Sequence, residues 1–541
     1  MIKHLRLIAV GALLAAPAAR LGAQSFPTND PVLQRIWTLG MDSSHTQQLA
    51  QVLFDSVGPR LTGSPGQRAG NDWLVKTYAS WGIDAKNEQY GTWRGWRRGY
   101  THIDLIQPRV RSLEGTMLAW SPGTRGKDVT AGLVIIPDVP DSAEFVKWLP
   151  AVKGKFVLVS PAMPTCRPSA DWTEFATPDS KARIDTSRAQ TTRDWAARLG
   201  RIGYSLALGT GKLGRRLEEA GALGVITSRP KDAWGTYEVF ETYDEKAPAV
   251  AMSCEDYGLL YRLTEKNQSP VVRINTDAQL LGEQPVFNTI ASIPGTEKPN
   301  EYVVLSAHFD SWDGSSGSTD NGTGTLTMME AMRILKTAYP HPKRTILVGH
   351  WSSEEQGLNG SKAFTEDHPE VIKGLQALFN QDNGTGRIQN MSGSGIVSQG
   401  EHGAEWMSKL PFEFQSQIRF NGAGRPGVGG TDASSFACYG VPAFGLGALP
   451  WNYGNYTWHT NRDTYDKVVF DDLKGNATVT AMLAYLASED PQFLPRERVD
   501  LVALAARMQQ QFPTQAGRPA RAPMTTWPEC VKAPRSTSPR W

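Results

Sequence analysis

A short run of small residues, Leu305 to Gly324 (LSAHFDSWDGSSGSTDNGTG), carries one histidine and three aspartates directly after an apolar segment. Its first candidates for chemistry are His308, Asp310 and Asp320. A Gly-rich polar loop is often only a surface turn, because glycine lets the backbone bend. The choice between a turn and a site therefore depends on what the other loops of the chain present.

Three later loops present the same residue types after apolar runs. Glu354 and Glu355 follow RTILVGHW, Asp382 follows LQALFN, and His459 and Asp463 lie in TWHTNRDTYD. Each motif alone is weak, since an aspartate at such a position is often only a cap. Together they indicate a site, because functional loops of open α/β sheets lie beyond the carboxyl ends of the strands. Only nine histidines occur in the chain, and two of them fall in these loops.

Imidazole and carboxylate ligands in this combination suit zinc, and one carboxylate can bridge two cations through its two oxygens. Paired metals about 3.5–4 Å apart activate a water and stabilise a developing oxyanion. A remaining carboxylate can then take the proton of that water as general base. The loops therefore predict a metal-dependent hydrolytic site.

The segments that must position these loops alternate between strand and helix. EYVVLSAH and RTILVGHW are apolar, β-branched runs typical of buried parallel strands. Between them, GTLTMMEAMRILKTAYP places apolar residues on one helical stripe. This alternation predicts an α/β fold with a mostly parallel mixed sheet flanked by helices. Residues 121–280 contain short apolar runs such as AGLVIIPD and GKFVLVS, which predict an inserted β-rich module.

Length and charge set the outer limits. At 541 residues the chain exceeds what one core usually serves. Its formal charge, 56 − 54 = +2, does not indicate a nucleic-acid partner. The Gln-, Arg- and Pro-rich residues 491–541 predict a largely irregular tail.

The N-terminus has the pattern of a secretory signal peptide, with Lys3 and Arg6 before an apolar stretch and LGA before Gln24. We expect cleavage after Ala23 and a secreted or periplasmic protein that does not span the membrane. A membrane anchor is the alternative, but the apolar stretch is short for one and is interrupted by Pro17 and Arg20.

The four cysteines show no CxxC spacing, which excludes a thiolate zinc cluster as a good interpretation. Export permits disulfides, but a chain of this size does not require them. For Cys438, within SSFACYGVPAFG, we expect a buried structural thiol.

The motifs HFDS, DNGTG, SSEEQGLNGS, the downstream aspartate and HTNRDT resemble those of the M28 zinc peptidases. The spacing is also similar, with 12 residues from His308 to Asp320 and 34 from Asp320 to Glu354. The inserted segment resembles the protease-associated (PA) domain of several branches. With HFDSWD, it is most similar to the carboxypeptidase Q-like branch, also called plasma glutamate carboxypeptidase-like. The resemblance covers the mature chain to about residue 490.

The resemblance implies two Zn2+ per chain, held by five residues: His308, Asp320, Glu355, Asp382 and His459. Asp320 would bridge, Glu355 and Asp382 would hold the second zinc, and the two histidines would share one metal or lie on opposite metals. It further implies Glu354 as general base and Asp310 as the residue that orients His308. Asp463 is expected to do the same for His459.

The chain departs from the family pattern just before the last histidine. Many members have a tyrosine there, whereas this chain has Trp458. Support for the oxyanion is therefore unassigned, with Tyr453 and Tyr456 as candidates. Asp432, in GGTDASSF, is expected either to line the substrate side or to cap a helix.

These inferences predict an exported di-zinc exopeptidase for dipeptides or short peptides with a free N-terminus, in which a metal-activated water is the nucleophile. The alternatives are a glutaminyl cyclase-like enzyme with a single zinc and a non-catalytic, receptor-like binding protein. The expected organisation is a signal peptide (1–23), a peptidase domain in two parts (24–120 and 281–490), the PA-like insert (121–280) and the tail (491–541). The insert is expected to shape substrate access or to mediate homodimer contacts.

Overall fold

The structure is a computed structural model that describes residues 26–205, 211–511 and 524–536. The expected signal peptide lies outside the described residues. Within them, no helix is long and apolar enough to cross a membrane.

The strands fall into a larger and a smaller group along one continuous path. They are β1 (Asp84–Gln107), β2 (Arg111–Ser112), β3 (Gly115–Met117), β4 (Val129–Ile135), β5 (Phe156–Leu158), β6 (Gly224–Thr227), β7 (Ala249–Met252), β8 (Val271–Ile293), β9 (Lys298–His308), β10 (Arg344–Trp351), β11 (Leu375–Asn380), β12 (Ile388–Ser392), β13 (Arg419–Phe420) and β14 (Ala443–Ala448).

The helices lie between and around these strands. They are α1 (Pro31–Trp37), α2 (Thr46–Gln51), α3 (Pro65–Ser80), α4 (Ser142–Trp148), α5 (Ser169–Phe175), α6 (Pro178–Arg201), α7 (Gly211–Glu219), α8 (Cys254–Glu265), α9 (Thr323–Ala338), α10 (Asn359–Asp367), α11 (Pro369–Gly374), α12 (Ser398–Lys409), α13 (Phe412–Gln415), α14 (Ala433–Ala437), α15 (Tyr453–Tyr456), α16 (Phe470–Glu489) and α17 (Leu501–Gln511).

The larger sheet has the order β13-β12-β14-β11-β9-β10-β8, with β1 beyond β8. Its centre is parallel, because β14, β11, β9 and β10 pair in parallel with their neighbours in this order. Strands β8 and β12 pair antiparallel with β10 and β14. Every residue of β10 and β11 is buried, as is typical of parallel strands covered on both faces.

Helices cover both faces of this sheet. On one face α9 and α16 pack on the strands through residues such as Leu326, Met332 and Leu483, which belong to one large apolar core. On the other face α10, α11 and α14 contribute Phe364, Val371 and Phe436 to a second cluster. The predicted α/β class with a mostly parallel, helix-flanked mixed sheet is confirmed.

A smaller sheet is built from β4-β5-β6-β7-β3, in which β4, β5, β6 and β7 pair in parallel. The long antiparallel ribbon of β1 and β8 joins the two sheets. Its Asp84–Gln89 end pairs within the larger sheet, and residues 271–274 of β8 pair with β4. Because one pair of strands belongs to both sheets, the ribbon fixes the smaller sheet beside the larger one.

The expectation of a β-rich insert understates its helices. The segment contains α4 to α8, and α6 alone has 24 residues. Only Trp195 and Leu199 of α6 are buried, so its sequence shows little apolar periodicity. A local signal did exist, because Thr177 caps the helix and Pro178 occupies its first turn.

The cysteine expectation was wrong. Cys438 is bonded to Cys530, and Cys166 is bonded to Cys254. The partners are 92 and 88 residues apart, so only the folded chain brings them together. The tail is likewise less irregular than expected, since it includes α17 and a disulfide-anchored segment, 524–536.

Candidate metal centre

The candidate residues gather at one edge of the larger sheet because β9, β10 and β11 are parallel neighbours. Their carboxyl ends therefore meet at the same edge. His308 is the last residue of β9, Glu354 and Glu355 follow β10, and Asp382 follows β11. The loop before α9 supplies Asp320.

Ligand atoms form two groups. One contains His308, Glu354 and Asp382, and the other contains Asp320, Glu355 and His459, with the ligand atoms of each group within 4.8 Å of one another. His308 and His459 therefore lie in different groups. The sequence left open whether the two histidines share one metal or lie on opposite metals. The structure has them in different ligand groups.

Asp320 faces both groups with different oxygens. Its Oδ1 lies 3.4 Å from His308 Nε2, and its Oδ2 lies 3.2 Å from His459 Nε2. His308 Nε2 is also 3.2 Å from Asp382 Oδ1, and His459 Nε2 is 2.9 Å from Glu355 Oε2. Glu355 and Asp382 were expected to hold the same zinc. They lie instead on different sides of Asp320, each in a different ligand group.

These spacings fit zinc. Two ligands about 2.0–2.1 Å from a tetrahedral Zn2+ lie about 3.3 Å apart. This value is close to the four histidine–carboxylate distances of this site. Glu355 Oε1 is buried and makes no hydrogen bond with any described residue. Unpaired carboxylate oxygens at such positions are costly unless a cation is present. The donor set therefore fits a pair of divalent cations.

The carboxylate of Asp310 lies 3.7 Å from His308 Nδ1, farther from it than the main-chain carbonyl of the same residue. The main-chain carbonyl of Asp310 lies 3.0 Å from His308 Nδ1, whereas its carboxylate accepts the backbone N–H of Glu354 at 3.0 Å and of Glu355 at 3.3 Å. Asp310 therefore orients His308 through its carbonyl and holds the glutamate turn through its side chain.

Asp463 was expected to orient His459. In the structure it positions the loop of Asp320 instead. Its carboxylate accepts the backbone N–H groups of Thr319 at 2.8 Å and of Asp320 at 3.0 Å. Burial raises the pKa of Asp463 to about 7, and the nearby charge of Asp320 acts in the same direction.

Arg60 was not among the residues that the sequence motifs indicated. It is fully buried, and its guanidinium donates to the carbonyls of Phe309 at 2.7 Å, Ser316 at 2.8 Å and Gly317 at 2.8 Å. These contacts hold both ends of the loop between His308 and Asp320. No local pattern marks Arg60, because it lies about 250 residues from the loop in the chain.

Three residues around the site adopt left-handed backbone conformations that side chains disfavour. They are Ser353 (φ 57°), Leu358 (φ 61°) and His459 (φ 60°). Ser353 and Leu358 bracket the turn of Glu354 and Glu355, which lets that turn fold back over Asp310. Such strain persists where the surrounding structure holds it, and it concentrates at functional sites.

Aromatic rings enclose His459. Trp458 stacks on its imidazole at 3.8 Å between centroids, and Phe240 meets it edge-on at 5.2 Å. The His459 carbonyl accepts the backbone N–H of Val239 at 2.9 Å. The segment that carries Val239 and Phe240, between β6 and β7 of the smaller sheet, thus helps to position this candidate ligand.

The electrostatics of the site are dominated by buried carboxylates. Burial raises the pKa of Glu354 well above its usual range, and repulsion from Asp382 and Asp432 adds to the shift against the attraction of His308. Burial also raises the pKa of Glu355 to about 7. Burial acts against ionisation of Asp320, yet bonds from His308 and His459 hold its pKa well below the usual range. The surplus of negative charge favours cations.

Tyr453 and Tyr456, the candidates for support of the oxyanion, differ in their surroundings. Tyr453 is close enough to Asp320 and Asp382 for their charges, after burial, to help raise its pKa well above the usual value. The side chain of Tyr456 is exposed.

Asp432 precedes α14 but makes no capping hydrogen bond, and its carboxylate is completely buried. The expected capping role is therefore not seen.

Comparison with known proteins places this geometry in a family. Residues 288–492 match the model of peptidase family M28. Carboxypeptidase Q of Rattus norvegicus is 24% identical over 445 residues, which cover 82% of this chain and 85% of the relative. Both the centre and most of the remaining chain therefore have counterparts in M28 proteins.

Solved structures agree on the fold. The peptidase M28 precursor from Shewanella amazonensis SB2B superposes with a TM-score of 0.62 at 23% identity, covering 86% of this chain and 98% of the other. A zinc aminopeptidase from Bacillus subtilis has a TM-score of 0.50 at 18% identity, covering 84% and 98%. The match over residues 288–492 identifies an M28 metallopeptidase domain, and over most of its length the chain is similar to carboxypeptidase Q.

Proposed function

We propose that this protein is an exported di-zinc exopeptidase that hydrolyses dipeptides or short peptides with a free N-terminus. The observation that carries the proposal is the arrangement around Asp320, whose two oxygens face two separate imidazole–carboxylate groups at zinc-like spacings.

In this proposal His308 and Asp382 would hold one Zn2+, Glu355 and His459 would hold the other, and Asp320 would contribute to both sites. When bound, the pair of ions would lower the pKa of a water and polarise the scissile carbonyl. Asp310 and Asp463 keep the ligand-bearing turns in place through the backbone bonds described above.

Glu354 is the general base of the proposed reaction. It belongs to the His308 group, and its backbone is fixed by Asp310. The raised pKa of its buried carboxyl suits a group that takes a proton from the attacking water and passes it to the leaving amine.

Export is supported by the two disulfides, since such bonds persist in oxidising compartments. We further propose that residues 121–280, which include most of the smaller sheet, form a PA-like insert. The contact of Val239 with the His459 carbonyl supports a role of this insert in shaping the site.

The first experiment measures hydrolysis of an unblocked dipeptide, alanyl-phenylalanine, beside its N-acetylated copy. We expect cleavage of the unblocked peptide alone. Glu354→Gln should lower kcat by about 10²–10⁴-fold while two zinc ions per chain remain by elemental analysis. The matched control is Glu405→Gln, which removes an exposed glutamate of α12 far from the site.

Equal cleavage of both peptides would contradict the requirement for a free amine. One bound zinc would favour a cyclase-like enzyme, and none with no hydrolysis would favour a binding protein. An active Glu354→Gln variant would remove that residue from the proposed chemistry.

A further inference from the structure

The smaller sheet has a carboxyl edge of its own, and a cavity of about 330 Å³ lies there. Strands β4 to β7 pair in parallel, so the loops that follow β5 and β6 meet at one edge of this sheet. Ser160 comes shortly after β5, Ser228 and Arg229 come directly after β6, and all three line the cavity. None of them belongs to the metal centre, so the cavity is a separate candidate site.

One hydroxyl group at this edge has no partner. Ser160 Oγ lies 2.7 Å from Thr227 Oγ1 and accepts the backbone N–H of Ser228 at 3.0 Å. Ser228 is only 5% exposed, yet its own Oγ makes no hydrogen bond with any described residue. Buried polar groups are almost always paired in folded proteins. The Ser228 hydroxyl therefore indicates a hydrogen-bonding ligand in the cavity.

The walls of the cavity are mainly apolar. Val159, Leu199 and Leu213 line it, and they also belong to the apolar core of the smaller sheet. The half-buried side chains of Met163 and Tyr204 line it as well. Small-molecule sites typically have about 300–1,000 Å³ of space, apolar walls and a few polar groups. These walls favour a small ligand with an apolar body.

Positive charge is in excess beside Ser228. Arg229 Nε lies 2.9 Å from Glu238 Oε2, and Lys231 Nζ lies 2.6 Å from Glu238 Oε1. Two cations thus share one carboxylate, and no other carboxylate of the described chain forms an ion pair with either of them. A guanidinium beside a hydroxyl suits a carboxylate, which accepts hydrogen bonds from both groups.

The charged side of the cavity lies close to His459. The Arg229 guanidinium is 4.4 Å from the ring centroid of Phe240, and this ring meets the His459 imidazole edge-on at 5.2 Å. Lys231 Nζ is 4.6 Å from the ring centroid of Trp458, which stacks on the same imidazole. A single layer of aromatic rings therefore separates these cations from a candidate metal ligand.

We propose that this cavity binds a small carboxylate with an apolar body, such as an arylalkanoic acid. The carboxylate accepts hydrogen bonds from Ser228 Oγ and from the Arg229 guanidinium, and the apolar body packs between the walls. The site lies outside the metal centre, so it stands whether or not the protein hydrolyses dipeptides.

The test measures binding of 3-phenylpropanoate to the zinc-loaded protein by calorimetry. We expect this acid to bind at least tenfold more tightly than the uncharged 3-phenylpropanamide, because the amide lacks the charge that pairs with Arg229. Acetate has the charge but not the apolar body, and it should bind more than tenfold more weakly than 3-phenylpropanoate.

Substitutions locate the bound acid. Arg229→Gln and Ser228→Ala should each lower the affinity for 3-phenylpropanoate by about tenfold. Because Glu238 keeps Lys231 as its partner, the Arg229→Gln protein should fold and bind zinc as the wild type does. Arg193→Gln, which changes an exposed arginine of α6, is the matched control and should keep the wild-type affinity.

Two results would overturn the site. Equal affinities of the wild type for the acid and its amide would remove the carboxylate from the recognition. An affinity that is unchanged in both Arg229→Gln and Ser228→Ala would place the acid elsewhere, such as on the metal centre. Met163→Trp gives an independent check, because a larger side chain in the wall should weaken binding of the acid, whereas unchanged binding would contradict the cavity.

Discussion

Arg60 secures the metal-site loop through its main chain and at the same time neutralises the carboxylates around it. Burial lowers the pKa of Arg60 to about 10, and the charges of Asp463, Asp310 and Asp320 oppose that shift. The guanidinium therefore stays charged at neutral pH. A single buried cation thus serves both the geometry and the charge balance of the loop.

We predict that Arg60→Met lowers the free energy of unfolding by about 3–5 kcal/mol, because it leaves buried carbonyls without donors and buried carboxylates without a cation. Chemical denaturation measures this change, and zinc content should fall with it. Arg68→Met is the control, since Arg68 forms an exposed ion pair with Asp72 worth at most about 1 kcal/mol. Equal effects of both substitutions would contradict the role of Arg60.

Tyr453 is the residue that we expect to stabilise the oxyanion in place of the tyrosine that Trp458 replaces. Removal of one such donor typically costs about 10²–10³-fold in kcat. Tyr453→Phe should lower kcat by that factor with little change in KM or zinc content. Tyr456→Phe, which alters the exposed tyrosine at the other end of α15, should retain activity. A Tyr453→Phe enzyme as active as the wild type would leave the oxyanion without this partner.

At the scale of elements, the transition from β9 into α9 requires close packing of backbone and side chains. The Asn321 side chain accepts the Gly324 N–H at 3.1 Å and donates to the Gln381 carbonyl at 2.9 Å. A Cβ on Gly324 would lie 2.2 Å from Asn321 Oδ1 and 2.6 Å from the Gln381 oxygen. Only glycine lets α9 begin so close to the loop that follows β11.

Gly324→Ala should therefore destabilise the protein by about 1–3 kcal/mol, the usual effect of overpacking, and should weaken zinc binding because Asn321 follows Asp320. Urea unfolding and elemental analysis measure the two effects. Gly200→Ala is the matched control, since a Cβ there meets nothing within 4 Å on α6. It should be neutral or stabilising by up to about 1 kcal/mol. A stabilised Gly324→Ala protein would contradict the packing described.

At the scale of the whole molecule, the C-terminal segment returns to the larger sheet and closes a cavity beside the turn that follows Glu355. The Trp527 indole donates to the Cys438 carbonyl at 3.1 Å, the Arg535 carbonyl accepts the Thr92 N–H at 2.9 Å, and Arg535 pairs with Glu366 and Asp367. The Cys438–Cys530 disulfide anchors this segment. The end of the chain thus lines the same cavity as Gln356 and Asn359 of the turn that follows Glu355.

The double substitution Cys438→Ala with Cys530→Ala should lower stability by about 2–4 kcal/mol and raise amide hydrogen exchange in residues 524–536. The matched substitution of Cys166 and Cys254 should also destabilise the protein, but it should leave exchange in that segment unchanged. If the two pairs had the same effect on exchange of 524–536, the disulfide would not be what anchors it.

The sequence by itself determined the fold class and predicted the candidate ligands. His308 and Glu354 follow apolar runs whose composition is that of buried parallel strands, and α9 shows its apolar stripe directly. These signals are local, because strand character, helical periodicity and the position of a residue after a strand are all contained in a few neighbouring residues.

Only the tertiary structure decided how distant segments meet. It separated His308 from His459, brought Arg60 under the loop of Asp320, paired Cys438 with Cys530 and turned the Asp463 carboxylate toward the Asp320 backbone. It also revealed α6, whose mostly exposed surface leaves no apolar stripe to read. Apart from α6, whose capping residues are local, each of these features depends on contacts between residues far apart in the chain, and such contacts leave no mark in local residue order.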